Sequence, residues 1–241
     1  MGFDIQTPVD TAVGDGSIIL LADFQTKDFT SASASGLSIY LGDKATAMPK
    51  PCDTATPPVC SKHLAGTGTF TLAANSPTNA LVAGPVVGGT FTGGPGNITL
   101  QIALTAGAPI ELSLIGARAK LTGISATGVT SGVIAGALSD NDLNTKVIPA
   151  IQAQLVDIIK RDCTALTTPP DCGCTAGSTG KTILGLFDTT PKDCAVSVAE
   201  IQNNNLIKSL LAPDVTIDGT MALSLGIGVT MVKGEFTPPA H

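Results

Sequence analysis

Met221-Ala222-Leu223-Ser224-Leu225-Gly226-Ile227-Gly228-Val229-Thr230-Met231 sets large apolar residues at strict period two, with Ala, Ser, Gly, Gly and Thr between them. Successive side chains of a strand point to opposite faces, so this run reads as a long strand with one greasy face and one small-residue face. The small face suits close approach by a second layer or a neighbouring loop. Such a strand needs partners, and the first half of the chain supplies them. Ile18, Leu20, Ala22 and Phe24 alternate, as do Leu37, Ile39 and Leu41, and Phe70 and Leu72 follow. Then come Ile98, Leu100, Ile102 and Leu104, and after them Ile110, Leu112 and Leu114. Around Gly116 the apolar parity changes, from Leu112 and Leu114 to Ala117, Ala119 and Leu121, which predicts a bulge at Ile115-Gly116. Clusters of Pro, Gly, Asn and Thr place loops at 43–66, 75–79, 93–97 and 164–180.

Two helical segments interrupt the strands. Val147, Ile148, Ile151, Leu155, Ile158 and Ile159 mark one face of the first, and Pro149 must sit in its first turn. Asp157 precedes Arg161 by four residues, the favourable order for a helical ion pair. Asp140-Asn141-Asp142-Leu143-Asn144 is oxygen-rich like the start of a calcium loop, but no glycine or acid follows at the required places, and it reads as the cap of a helix over 145–161. The second segment opens on Ser197-Val198-Ala199-Glu200, a capping box, breaks near Asn203-Asn204-Asn205 and stops at Pro213. The fold class expected is therefore α+β and mainly β: an antiparallel sandwich-like core with a disulfide-braced helical insert. The regions are a β-rich 1–139, an insert at 140–213 and a final long strand in 214–241, taken as one integrated domain.

Composition narrows the function. The chain has 13 basic and 19 acidic residues among 241, a net charge of −6, no Trp and one Tyr. With no Lys/Arg cluster to neutralise phosphates, nucleic acid is not an expected partner. No run of about eighteen apolar residues predicts a membrane-spanning helix. Met1-Gly2-Phe3-Asp4 lacks a basic and apolar leader, so a leader is expected to have been removed or left out.

Cysteines stand at 52, 60, 163, 172, 174 and 194. Their spacing favours Cys52–Cys60 across the loop PCDTATPPVC, leaving Cys163, Cys172, Cys174 and Cys194 to pair among themselves. Cys172-Gly173-Cys174 is too tight for a zinc pair, and disulfides imply an oxidising compartment.

Chemistry-bearing motifs are few. Ala176 to Thr182 ends in Gly-Lys-Thr like a phosphate-binding loop, but Thr175 stands where its first glycine belongs and a Cys-Gly-Cys loop precedes it. The reading is a loop that starts a short helix. His63 is the one internal imidazole and reads as a loop residue; Glu111 and Asp218 are isolated acids. Ala222-Leu223-Ser224-Leu225-Gly226 sits mid-strand, where no nucleophile elbow forms. Asn97-Ile98-Thr99 fits a glycosylation sequon.

The stretch from Ile183 to Leu211 resembles the calcium loop of EF-hand and dockerin-type modules. The resemblance implies Asp188 as first ligand, Asp193 as a middle carboxylate, Val196 as the central β-like residue and Glu200 as the last carboxylate. The loop departs from the family: Asp188 to Glu200 is one residue too long, and Cys194 stands where glycine belongs. A bridge at Cys194 can do the structural job of calcium, so the expected state is a metal-free relic. Asp188, Asp193 and Glu200 remain the calcium candidates, and no other cofactor is expected.

Together with the cysteines and the helix running into Leu210-Leu211-Ala212-Pro213-Asp214, this loop resembles those of secreted or lipid-anchored bacterial surface proteins of the myxobacterial type. That resemblance implies a secreted, periplasmic or outer-surface-anchored location. The function expected is a non-enzymatic surface, structural or binding protein that associates with itself or with a surface partner. The alternative is a carrier for an apolar ligand such as a lipid; a hydrolase using His63 or scattered acids is a third reading.

Overall fold

The structure, a computed structural model, describes residues 6–78, 80–102 and 109–239; Leu104 and the first four residues lie outside them. In chain order the elements are helix α1 (Gln6–Gly14), strands β1 (Leu20–Thr26), β2 (Ser31–Leu41), β3 (Gly68–Thr69), β4 (Leu81–Val87), β5 (Thr90–Ile102), β6 (Ile110–Ser125) and β7 (Gly128–Leu138). Helices α2 (Asp140–Asp142), α3 (Ile148–Asp162), α4 (Thr179–Phe187), α5 (Val198–Asn203) and α6 (Asn205–Leu210) follow, then β8 (Val215–Ile217), β9 (Thr220–Val232) and β10 (Gly234–Glu235). The fold is α+β and mainly β. The chain divides into two compact units, one of residues 1–139 and 214–241, the other Asp140–Pro213.

In the first unit an antiparallel sheet runs in the order β1-β2-β4-β5-β6-β7-β9-β8, and β10 pairs in parallel with β3. One sheet supplies both layers of the sandwich-like core by curling. Phe24 of β1 stacks edge-on against Phe91 of β5 with ring centroids 5.1 Å apart, although β2 and β4 lie between those strands. Adjacent strands are spaced about 4.8 Å, so a flat sheet would hold these two roughly 14 Å apart. Ile217 of β8 likewise folds back over Gly116 of β6, its Cδ1 3.0 Å from where a Cβ at Gly116 would sit. Leu37, Val82, Phe91, Leu114 and Leu121 are thereby fully buried. Cross-strand register lines up Phe91 with Leu121, and Ala119 with Ile134 and then Ile227.

The bulge at Gly116 is present. Register between β6 and β7 shifts between Ile115 and Arg118, Gly116 has φ +60°, and the buried set passes from Leu112 and Leu114 to Ala117, Ala119 and Leu121. A left-handed backbone without a Cβ is what lets β6 change parity without leaving the sheet.

Several expectations are corrected. At the start of β1 the deeply buried residue is Leu21, not Leu20, which is exposed, and Ile19 just before the strand is buried with it, because a second apolar cluster of Ile19, Leu21, Tyr40 and Ala47, with Phe70, Leu72 and Phe236, covers the other face of the sheet. Residues 93–97 are not a loop; they lie within β5, where the pairing with β6 shifts at Gly93, Gly96 and Ile98. The small-residue face of β9 is not covered by a second layer: Ser224, Gly226, Gly228 and Thr230 are exposed and the large residues opposite are half-buried.

Replacing Gly116 by valine combines the left-handed φ with crowding on Ile217, and should cost about 2–4 kcal/mol. Gly177 also has positive φ but nothing within 4 Å, so Gly177→Ala should lose only about 1 kcal/mol, both read by urea unfolding.

Candidate functional site

The second unit is built on one apolar cluster. Ile148, Leu155 and Ile159 of α3 pack with Ile183, Leu184 and Phe187 of α4, and with Val196 and Ile201. Pro149 lies in the first turn of α3 as its sequence requires, after a π-type turn over Leu143–Val147. Arg161 pairs with its neighbour Asp162 (2.8 Å) instead of Asp157. The other oxygen of Asp162 accepts the Gly180 N–H at 2.8 Å. The hydrogen bond from Arg161, then that from Gly180, hold the Asp162 carboxyl below its usual range. The phosphate-loop-like stretch thus opens helix α4 on Ser178, its N-cap, with an internal carboxylate bonded to the Gly180 amide.

The calcium-loop-like stretch joins α4 to α5. Asp188 is 6% exposed and accepts the N–H groups of Asp193 (3.1 Å) and Cys194 (3.0 Å). Cys194 takes φ +65°, the left-handed conformation that glycine would favour there, and is bonded to Cys172. Asp193 accepts the Ala195 N–H at 3.1 Å. One oxygen of Glu200 accepts the Thr189 N–H (2.8 Å) and hydroxyl (3.2 Å); the other accepts the Ser197 N–H (2.8 Å) and hydroxyl (2.9 Å). Ser197 and Glu200 form the capping box expected of them. Burial raises the Glu200 carboxyl, but the Ser197 and Thr189 hydrogen bonds outweigh it and leave it below its usual range.

Asp188 and Asp193 are therefore in one loop and Glu200 in the first turn of the helix that follows, each accepting hydrogen bonds from that stretch. Among the described residues no three His, Cys, Asp or Glu side chains converge so as to hold a metal ion. Beside the loop lies an open cleft of about 580 Å³, lined by Gln152, Thr190, Asp193, Ser197, Glu200 and Asn203. Gln152, off the apolar face of α3, donates its side-chain N–H to the Val196 carbonyl at 2.8 Å and so ties α3 to the loop. No short-range pattern announces that contact.

The remaining candidates lie in the first unit. His63, in a short helical turn over Lys62–Leu64, is not a surface residue: it is 1% exposed and packs edge-on against Phe70. Neither of its ring nitrogens has a hydrogen-bond partner among the described residues. Burial lowers its pKa; the Val13 backbone and the Asp15 charge offset only part of this, and the Lys44 charge adds to it. Glu111 accepts a hydrogen bond from Asn75, Asp218 sits in the β8–β9 turn, and Asn97 is exposed on β5. A second open cleft of about 380 Å³ lies by Asn97, Arg118 and Asp218.

The six cysteines form three disulfides, Cys52–Cys60 as expected, Cys163–Cys174 and Cys172–Cys194. Among the described residues no helix is long and apolar enough to cross a membrane. No known protein family, no curated protein and no solved structure gives a significant match to the chain.

Asp188→Ala leaves two N–H groups of the loop without an acceptor and should cost about 1–3 kcal/mol. Millimolar calcium should leave the melting temperature of the wild-type protein unchanged; a rise would show that an ion binds the folded loop. For His63 the folded pKa lies below the unfolded one, so its neutral form contributes stability that is present above the unfolded pKa of about 6.5 and lost as pH falls through the folded value. The difference in stability between wild type and His63→Phe should therefore change across acid pH, by at most about 1.4 kcal/mol per pH unit in urea titrations.

Proposed function

We propose that this is a non-enzymatic extracytoplasmic protein, secreted or held at a cell surface, whose β core is a scaffold for structural or binding contacts. The observation that carries the reading is the cysteine pairing: all six are in disulfides, which persist in oxidising compartments. Two supporting features point the same way. The calcium-type loop is stapled by Cys172–Cys194 and closed by its own carboxylates, which suits a rigid extracellular module. His63, the imidazole a hydrolase would need, is buried on Phe70 with no nucleophile or carboxylate bonded to it. The two clefts are open and of mixed polarity, which favours a scaffold over an enclosed chamber for a lipid.

Intact mass spectrometry of protein taken from its native cells, before and after reduction, tests the compartment. The expected gain on reduction is two hydrogens for each of the three bridges, and fractionation should recover the protein outside the cytosol. Six free thiols in the unreduced protein would overturn the reading.

A further inference from the structure

The outer edge of β9 is an open pairing surface, and we propose that its occupant is the same strand of a second copy of this chain. The direction of the main-chain groups follows from three bonds. The Ala222 carbonyl accepts the Asp214 N–H (3.0 Å) and the Ser224 N–H donates to Asp214 Oδ1 (2.6 Å), both on the side away from β7. Lys233, of the other parity, donates its N–H back to Thr127 (3.0 Å). The even-numbered residues Gly226, Gly228, Thr230 and Val232 therefore turn N–H and C=O outward. β8 pairs with β9 only over Thr220–Ala222, and among the described residues no strand pairs with that edge beyond it.

Open edges are ordinarily protected by a charge, a proline or a bulge. From Ala222 to Val232 this strand has neither a charge nor a proline, and Ser224, Gly226, Gly228 and Thr230 are exposed; the one register shift beside it, between Val129 and Gly132, puts the extra residue on β7, so β9 itself keeps its alternation. The opposite edge strand, β1, carries Asp23 and Gln25. Antiparallel pairing of two β9 strands about a twofold axis at Val229 sets Gly228 opposite Thr230 and Gly226 opposite Val232. Each of these pairs exchanges both of its N–H···O bonds. A side chain built at Gly228 meets nothing within 4 Å, and at Gly226 only the Ala135 methyl at 3.9 Å, so no neighbouring side chain of the described residues crowds the sheet face beside this edge.

Charge and length argue for this occupant and this register. The Asp214 carboxylate, bonded to the Ser224 N–H and hydroxyl, fills the edge beside Ser224 and ends the free stretch at Leu225. In the twofold register Lys233 of the second copy arrives opposite Leu225, next to that carboxylate, and symmetry repeats the complementary pair. The inference goes beyond the compartment reading and does not need it, since pairing depends on the edge alone.

Light scattering after size exclusion should give a mass of twice 24.1 kDa for the wild type. Thr230→Pro removes an outward N–H without touching the ladder to β7, and Thr230→Lys places like charges near the axis. Each should weaken the dimer at least about tenfold while leaving the circular dichroism of the folded protein unchanged. Val229→Cys should cross-link into a covalent dimer on oxidation, because residue 229 meets itself at the axis, and Leu225→Cys should not. A wild-type protein that is monomeric at all attainable concentrations overturns the proposal, as does a dimer unaffected by Thr230→Lys or not cross-linked through Val229→Cys.

Discussion

Ile217 of β8 packs over the bare backbone of Gly116 in β6, a close approach for which a residue without a Cβ leaves the room. A sheet of eight strands with so few aromatics has little bulk with which to fill a separate second layer. It buries its apolar face by bringing its two ends over its own middle, β1 toward β5 and β8 toward β6. The bend is concentrated where side chains are missing. Gly116 permits the change of parity in β6, and Gly93 and Gly96 permit the matching shifts in β5. At Gly93 an added Cβ would strike the Phe91 ring at 2.4 Å, so the same glycine that loosens the register also seats the central aromatic of the core.

The helical unit solves a comparable problem by covalent means. Its loop needs a left-handed residue where the chain turns between α4 and α5, and Cys194 accepts that conformation in place of glycine. The conformational cost for a residue with a Cβ is about 1–2 kcal/mol. The Cys172 bridge and the two amide bonds to Asp188 offset it locally. In a calcium loop the carboxylates must stay open to an ion; here Asp188 and Glu200 each hold several donors of the loop itself. The same side chains that suggest an ion site by spacing are the ones that make the loop close.

Much of this architecture was legible because periodicity reports which face is buried. The β6 parity change, the long β9, the capping box at Ser197 and the bridge Cys52–Cys60 all follow from local spacing. What escaped is of two kinds. Strand β7, rich in Gly and Ala, and strand β4, interrupted by Gly84-Pro85, lack the regular large apolar alternation that marks a strand. For β4 the turn carries the signal instead, because Gly88-Gly89 joins it to β5 with both residues at positive φ, the arrangement that Asp218-Gly219 repeats between β8 and β9. The second kind is long-range. That His63 is buried on Phe70 and that Leu21 and not Leu20 faces a core are set by the loop folding over the far side of the sheet, and that Gln152 reaches Val196 is set by the packing of the helical unit; no local period encodes either.

The low charge acquires a physical meaning once the faces are assigned. In most antiparallel sheets the solvent face is marked by Lys and Glu, which also discourage edge-to-edge association. Here Val133, Ala135, Gly226 and Gly228 make an outward surface with neither charge nor bulk, and Arg118 and Lys120 stand on the neighbouring strand. Such a surface gives up the protection that charge provides, and it also lacks the Trp and Tyr anchors that concentrate binding energy in a small area. Recognition through it has to come from extended main-chain complementarity, which requires a regular, unobstructed strand. The small residues of β9 supply that regularity, and the composition of the chain and the geometry of its edge express one requirement.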